Sequence, residues 1–202
     1  MVLADLGVSS MQIDNPERGF SFKYDGPLDL RMNPQRGQPA SVMLAVVAES
    51  ELIRLLEENA DEPRAALISK AICQARLQKP IATTKALARI IQAALLPSHQ
   101  SKEEIDAAVR RTFQALRIAV NDEFGALETF LRHLPDCLKP GGRAAILTFH
   151  SGEDRRVKKA FQAGERAGVY ARVAREVIRP TAEEIRANPR ASSAKLRWAV
   201  KA

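Results

Sequence analysis

The sequence predicts an α/β fold whose parallel sheet is interrupted by an inserted all-helical stretch. Three observations carry this. The chain opens on a short apolar run, Val2-Leu3-Ala4, that stops at Asp5 before Leu6-Gly7 and the small polar Ser9 and Ser10; a buried strand ending in a carboxylate and a tight turn has this pattern. A second apolar run, Arg143 to Phe149, ends in the same way at His150-Ser151. Between the two, roughly from Val42 to Leu134, apolar residues recur with helical spacing. With 202 residues and 46% hydrophobic content, the chain suits one domain, or one domain with a subdomain inserted.

Asp14-Asn15-Pro16 and Asp25-Gly26-Pro27 are turn-formers. The segment between them carries Phe20, Phe22 and Tyr24 at alternating positions, which suits plugging a loop onto the core or stacking on a flat base. Gln35 to Pro39 punctuates the entry to the helical region. There Pro63 suits a helix first turn, Ile68, Ile72 and Ala75 share a face, Thr83 or Thr84 caps a helix, and Ser101-x-x-Glu104 is a capping box. The apolar positions from Ile105 to Leu134 step by three or four, predicting one long helix or two joined near Gly125. Arg117 and Asn121 share a polar face of it, which suits a surface or intrahelical pair. The insertion is expected over 41–104, with 1–40 and 105–202 forming the α/β part.

After the Lys139-to-Gly142 turn and the second strand, Ser151-x-x-Asp154 is expected to cap a helix. Tyr170 to Ile178 reads as a further strand, and Thr181-x-x-Glu184 begins a short helix ended by Asn188-Pro189. The last segment alternates, with Ala194, Leu196, Trp198 and Val200 on one face and Lys195, Arg197 and Lys201 mainly on the other, as in a half-buried edge strand.

The formal charge is +7, and it is unevenly spread: residues 143–202 hold 14 Lys/Arg against 6 Asp/Glu, whereas residues 1–142 hold 17 against 18. Clustered cations are what phosphate binding requires, and a solvated basic surface is the bland alternative. No apolar run approaches the ~20 residues of a membrane helix, and no basic-then-apolar leader opens the chain, so a non-membrane, cytoplasmic protein is expected. Cys73 and Cys137 lack metal or redox spacing and read as buried reduced thiols. The histidines His99, His133 and His150 are dispersed, so no metal is expected.

In open α/β sheets, ligands sit outside the carboxyl ends of the strands. Asp5 is therefore the leading site residue, with Ser9 and Ser10 as hydrogen-bonding neighbours. His150 and Glu153, at the second strand-to-turn junction, are expected to overlook the same crevice. Asp5, Ser9, Ser10 and His150 are the catalytic candidates, with a structural role for the histidine as the alternative. Candidate phosphate contacts are Arg18, Arg31, Arg155, Lys195 and Arg197.

Four blocks follow the DLGVSS opening in order: ERGFSFKYDGPLDLRM from Glu17, RTFQALRIAVNDE from Arg111, GGRAAILTFHSGEDRRVK from Gly141 and NPRASSAKLR from Asn188. With these blocks, the chain resembles the RsmH/MraW family of bacterial small-subunit ribosomal RNA cytosine-N4 methyltransferases over nearly its whole length. The resemblance implies a Rossmann-like methyltransferase sheet, S-adenosyl-L-methionine as cofactor, contact with it by Asp5 and Gln12, the placing of a substrate by Arg117 and Asn121, and ribosomal RNA or the small subunit as partner. Members carry a glycine-rich cofactor loop upstream of DLGVSS. No such loop and no G-x-G-x-x-G spacing occurs here, so an incomplete sheet and impaired transfer by this chain alone are expected. The alternatives are a non-catalytic RNA-binding relic and a fragment completed by another polypeptide. Members usually carry leucine at the position of Gly152.

Overall fold

The structure is a computed structural model that describes residues 1–98 and 101–202; the prediction for His99 falls outside them. The chain divides into two compact units, one of residues 1–7 and 124–202, the other of residues 8–123. The insertion expected over 41–104 lies within the second unit, and so do residues 8–40 and the helix that follows Ser101.

The first unit holds the sheet. Its strands are β1 (Val2–Asp5), β2 (Arg143–Thr148), β3 (Tyr170–Val173) and β4 (Lys195–Lys201), in the order β1-β2-β4-β3. β1 and β2 are parallel, with Val2 opposite Ala144 and Asp5 opposite Leu147. β4 runs antiparallel to both β2 and β3. It is thus an interior strand rather than the expected edge. Tyr170 to Ile178 does not form one strand: β3 stops at Val173, and Ile178 returns only as an isolated bridge to Leu196.

One face of this sheet is covered. Val2 and Ala4 pack with Ala144, Ile146 and Ala199 against Leu127, Leu131, Val157 and Phe161, which come from the helices α7 (Glu123–His133) and α8 (Ser151–Arg166). The alternate residues point the other way. Leu3 is 65% exposed, and Ala145, Leu147, Leu196, Trp198 and Val200 are half-buried. The expected buried strand is therefore buried on one side only, whereas parallel strands in α/β proteins are usually covered on both. The arrangement is mixed α/β and corresponds to a partial Rossmann-like methyltransferase fold.

The second unit is helical: α1 (Ser10–Asp14), α2 (Ala40–Val46), α3 (Glu49–Ala60), α4 (Ala65–Gln78), α5 (Thr84–Leu95) and α6 (Lys102–Asn121). Leu52 and Leu56 of α3, Ile68 and Ile72 of α4, Leu87 and Ile91 of α5 and Val109 and Leu116 of α6 form its core, each at helical spacing. Thr83 caps α5, and the Ser101 and Glu104 box opens α6, as expected. Of the two alternatives the chain takes two helices, joined at Asp122, which is left-handed (φ 48°), slightly before the expected Gly125, which lies inside α7. Pro63 precedes α4 by two residues instead of opening it.

Phe20 and Phe22 pack on this core, Phe22 tilted against Phe113 at 5.4 Å, while Tyr24 stays exposed. The thiols are free; Cys73 is half-buried, and Cys137 is exposed in the Leu134–Cys137 turn, contrary to the expectation of burial. No helix among the described residues is long and apolar enough to cross a membrane.

Candidate functional site

In the first unit, the carboxyl ends of β1 and β2 lie side by side, tied by the Leu6 amide donating to the Leu147 carbonyl at 3.0 Å. The turn after β1 uses Gly7 at φ 86°, a conformation glycine adopts without steric cost. Asp5 is exposed, on the open face with Leu3, and its carboxylate has no partner among the described residues. It is therefore an available hydrogen-bond acceptor at a parallel strand end.

The second turn is organised differently. Glu153, 3% exposed, accepts from the Phe149 amide at 3.0 Å, and its other oxygen lies 3.3 Å from His150 Nε2. Neither ring nitrogen of His150 makes a well-aligned hydrogen bond, and the side chain is only 10% exposed. The ring sits against Phe124 of α7, with centroids 5.9 Å apart. His150 and Glu153 therefore lie under the helix layer, whereas Asp5 leaves the sheet on the opposite face. The crevice expected to be common to all three is not formed within this unit.

Gly152 is what lets Phe124 settle here: a Cβ at position 152 would lie 2.6 Å from Phe124 Cζ. Arg156 stacks over the same ring at 3.4 Å and is held by Glu128 at 3.0 Å and the Gly152 carbonyl at 3.2 Å. The expected capping box at Ser151 is absent, because His150 is the N-cap and makes no side-chain cap. Asp154 instead receives Arg197 at 2.6 and 3.1 Å. Arg197, 5% exposed, is thus directed inward and neutralised, contrary to its expected place on a basic outer face. Of the other candidate phosphate contacts in this unit, Arg155 is exposed on α8 and Lys195 is half-buried on β4.

In the second unit, Ser9 and Gln12 form a capping box at α1. The Gln12 amide donates to Ser9 Oγ (3.3 Å), and the Ser9 amide donates to Gln12 Oε1 (2.8 Å). This occupies the amide oxygen of Gln12 and leaves its NH2 group without a partner among the described residues. Ser10 is exposed.

Arg18 donates to the carbonyls of Arg31 and Met32 at 3.1 and 2.8 Å. Arg31 forks onto Asp29 at 2.8 and 2.7 Å and reaches the Gly37 carbonyl at 3.1 Å. Hydrogen bonding from Arg31 holds the Asp29 carboxyl below its usual pKa of 3.8, against the opposing effect of burial. Both arginines thus fix the loop.

The same loop contains Leu30, buried at 1% exposure and left-handed at φ 65°, a costly conformation for a branched residue. Asn121 holds it there: its NH2 donates to the Leu30 carbonyl (2.8 Å), and its oxygen accepts from the Met32 amide (2.7 Å). Arg117 pairs with Glu123 at 2.7 and 2.9 Å. Asn121 also donates to the Arg117 carbonyl at 2.8 Å, the intrahelical contact expected of the pair, while the two side chains act on the loop and on the end of α6. The Asp29–Arg31 and Asp154–Arg197 pairs were missed in the sequence. The first has a local signal in its two-residue spacing; the second, across 43 residues, has none.

A parallel strand pair on a mixed sheet with an antiparallel partner strand, and an acid at its carboxyl end without a partner among the described residues, is consistent with a partial Rossmann-like methyltransferase fold. The chain belongs to the MraW methylase family, whose family model matches residues 1–202. It is similar to "Ribosomal RNA small subunit methyltransferase H 2" of Alkaliphilus metalliredigens, 58% identical over 205 residues that cover 100% of this chain and 58% of the relative. It is also similar to "Ribosomal RNA small subunit methyltransferase H 1" of Lachnoclostridium phytofermentans, 55% identical over 100% of this chain and 56% of the relative. The protein of the same name from Agathobacter rectalis is 56% identical, over 100% of this chain and 58% of that relative. The chain thus spans somewhat over half the length of these curated relatives.

Proposed function

We propose that this chain serves S-adenosyl-L-methionine-dependent N4-methylation of a cytidine in small-subunit ribosomal RNA. The observation that carries the reading is Asp5, an exposed and unpartnered carboxylate at the end of a parallel strand in a chain that matches the MraW family throughout. The relatives' names supply the small-subunit RNA, and the family resemblance supplies the N4 position.

Asp5 and Gln12 are the proposed cofactor contacts. The cofactor presents hydroxyl and amino donors, which suit a carboxylate acceptor, and carboxylate and ring-nitrogen acceptors, which suit the free NH2 of Gln12. When bound, it supplies an electrophilic methyl group. The exocyclic amine of cytosine is a poor nucleophile because its lone pair is delocalised into the ring, so the protein's task is to align it and accept its hydrogen bonds. Alignment alone contributes on the order of 7 kcal/mol or more. Ser9, Ser10 and His150 remain candidates for that task. Arg155 and Lys195, with Arg18 and Arg31 beyond their loop contacts, are proposed to meet phosphate. In this reading, residues 41–104 are an RNA-gripping helical insertion, and 1–40 with 105–202 are the methyltransferase-like part.

Calorimetric titration with the cofactor tests the proposal. Asp5→Ala is expected to weaken binding by about 10- to 100-fold, the value of a hydrogen bond to a charged group. Unaltered affinity in that variant overturns the assignment. Retention of ribosomal RNA with no response to cofactor favours a binding role instead.

The sheet supports a second reading, in which the cofactor site forms only when further α/β polypeptide adds to the edge of β1 and covers the face bearing Leu3 and Trp198. A methylation assay comparing this chain with a version extended by the N-terminal strands of its relatives separates the two. Equal turnover by both rejects the second reading.

A further inference from the structure

On the covered side of the sheet, α7 and α8 leave a groove between them of about 440 Å³. Leu131, Pro135, Ala160 and Val169 are among the residues lining it, together with Gly164 and Tyr170. Two small residues one helical turn apart on α8 make the depression. Gly164 lets the Tyr170 ring close against α8, because a Cβ there would lie 2.5 Å from that ring.

The rim is cationic. Arg132, Arg156 and Lys159 border the groove, and the one acid among its lining residues, Glu128, is already engaged by Arg156. Arg132 and Lys159 are exposed and make no ion pair among the described residues. Arg156 is fixed by its stack on Phe124 and by the Gly152 carbonyl, so it presents a pre-organised guanidinium. The groove lies on the opposite face of the sheet from Asp5.

We infer that this groove docks an acidic segment of a protein partner, one bulky aliphatic residue filling the floor and flanking carboxylates meeting Arg132 and Lys159. The floor argues against RNA. Bases bind by stacking on open aromatic faces, and Tyr170, 4% exposed and edge-on to Phe161, offers none. An aliphatic floor inside a charged rim matches the helix-in-groove mode, in which an apolar anchor supplies affinity and opposite charge supplies orientation.

The test is selection from a random twelve-residue peptide library on the full chain. Peptides rich in Asp and Glu around a Leu, Ile or Phe are expected. Their affinity is expected to fall tenfold or more in the Arg132→Glu/Lys159→Glu double variant, whose exposed sites leave the fold intact by circular dichroism. Ala160→Leu, which fills the floor, is expected to abolish binding while leaving the charge unaltered. No enrichment, a basic consensus, or binding indifferent to both variants overturns the inference. Displacement of the selected peptides by single-stranded RNA assigns the groove to nucleic acid instead and overturns it equally.

Discussion

A single amide side chain keeps Leu30 left-handed. Asn121 satisfies both the Leu30 carbonyl and the Met32 amide, so Asn121→Ala leaves two part-buried polar groups unpaired and releases a buried leucine. The expected cost is about 2 to 4 kcal/mol in urea unfolding, with Asn121→Asp losing only part of it because its oxygen still accepts from Met32. Asp29, beside it, sets an acid limit. Its carboxyl titrates lower in the folded protein than its unfolded value near 3.8, so its contribution is complete above that value and is lost as pH falls through the lower folded one. Asp29→Asn is expected to remove that part of the acid dependence, read as a flatter stability profile below pH 4. At Gly152, helix propensity favours alanine by about 1 kcal/mol, but the added methyl collides with a buried ring. Gly152→Ala is therefore expected to destabilise on balance and to loosen the Arg156 stack, seen as a lowered Tm.

Helix beginnings that depend on neighbours three residues apart were legible in the sequence, and those that depend on distant partners were not. Thr83, Ser101 and Thr181 each cap as their spacing predicts, because donor and acceptor belong to the same turn. Ser151-x-x-Asp154 has the same spacing, yet the helix takes His150 as its N-cap and Asp154 pairs with Arg197 of β4. β4 itself shows the limit of alternation. Its periodicity identified a strand, but not that β3 would pair along its other side and turn Arg197 into the layer beneath α8. Among the site candidates, Asp5 was legible because its place follows from the end of an apolar run. The separation of His150 from it was not, since that depends on which face the helices cover. Breaking the Asp154–Arg197 pair from one side is expected to cost about 3 to 5 kcal/mol, whereas Asp154→Leu with Arg197→Met costs much less. A double-mutant cycle by chemical denaturation measures the difference.

Across the whole chain, charge separates by unit. Residues 1–7 and 124–202 hold 16 Lys/Arg against 9 Asp/Glu, and residues 8–123 hold 15 against 15. The C-terminal excess was plain in the sequence; its confinement to the sheet-bearing unit required the fold. The RNA affinity proposed for the chain is expected to fall with salt by a slope of about 0.7 per phosphate contacted on a single strand. Arg155→Ala is expected to reduce that slope by roughly one contact in filter-binding titrations at several ionic strengths, and Arg197→Met to leave it unchanged. The open face around Leu3 has a calorimetric consequence. Apolar area already wet in the native state adds nothing to the heat capacity gained on denaturation, so the increment per residue should fall below the usual 12–15 cal/mol/K or so. The melting curve should then bend more gently with temperature than is normal for a protein of this length.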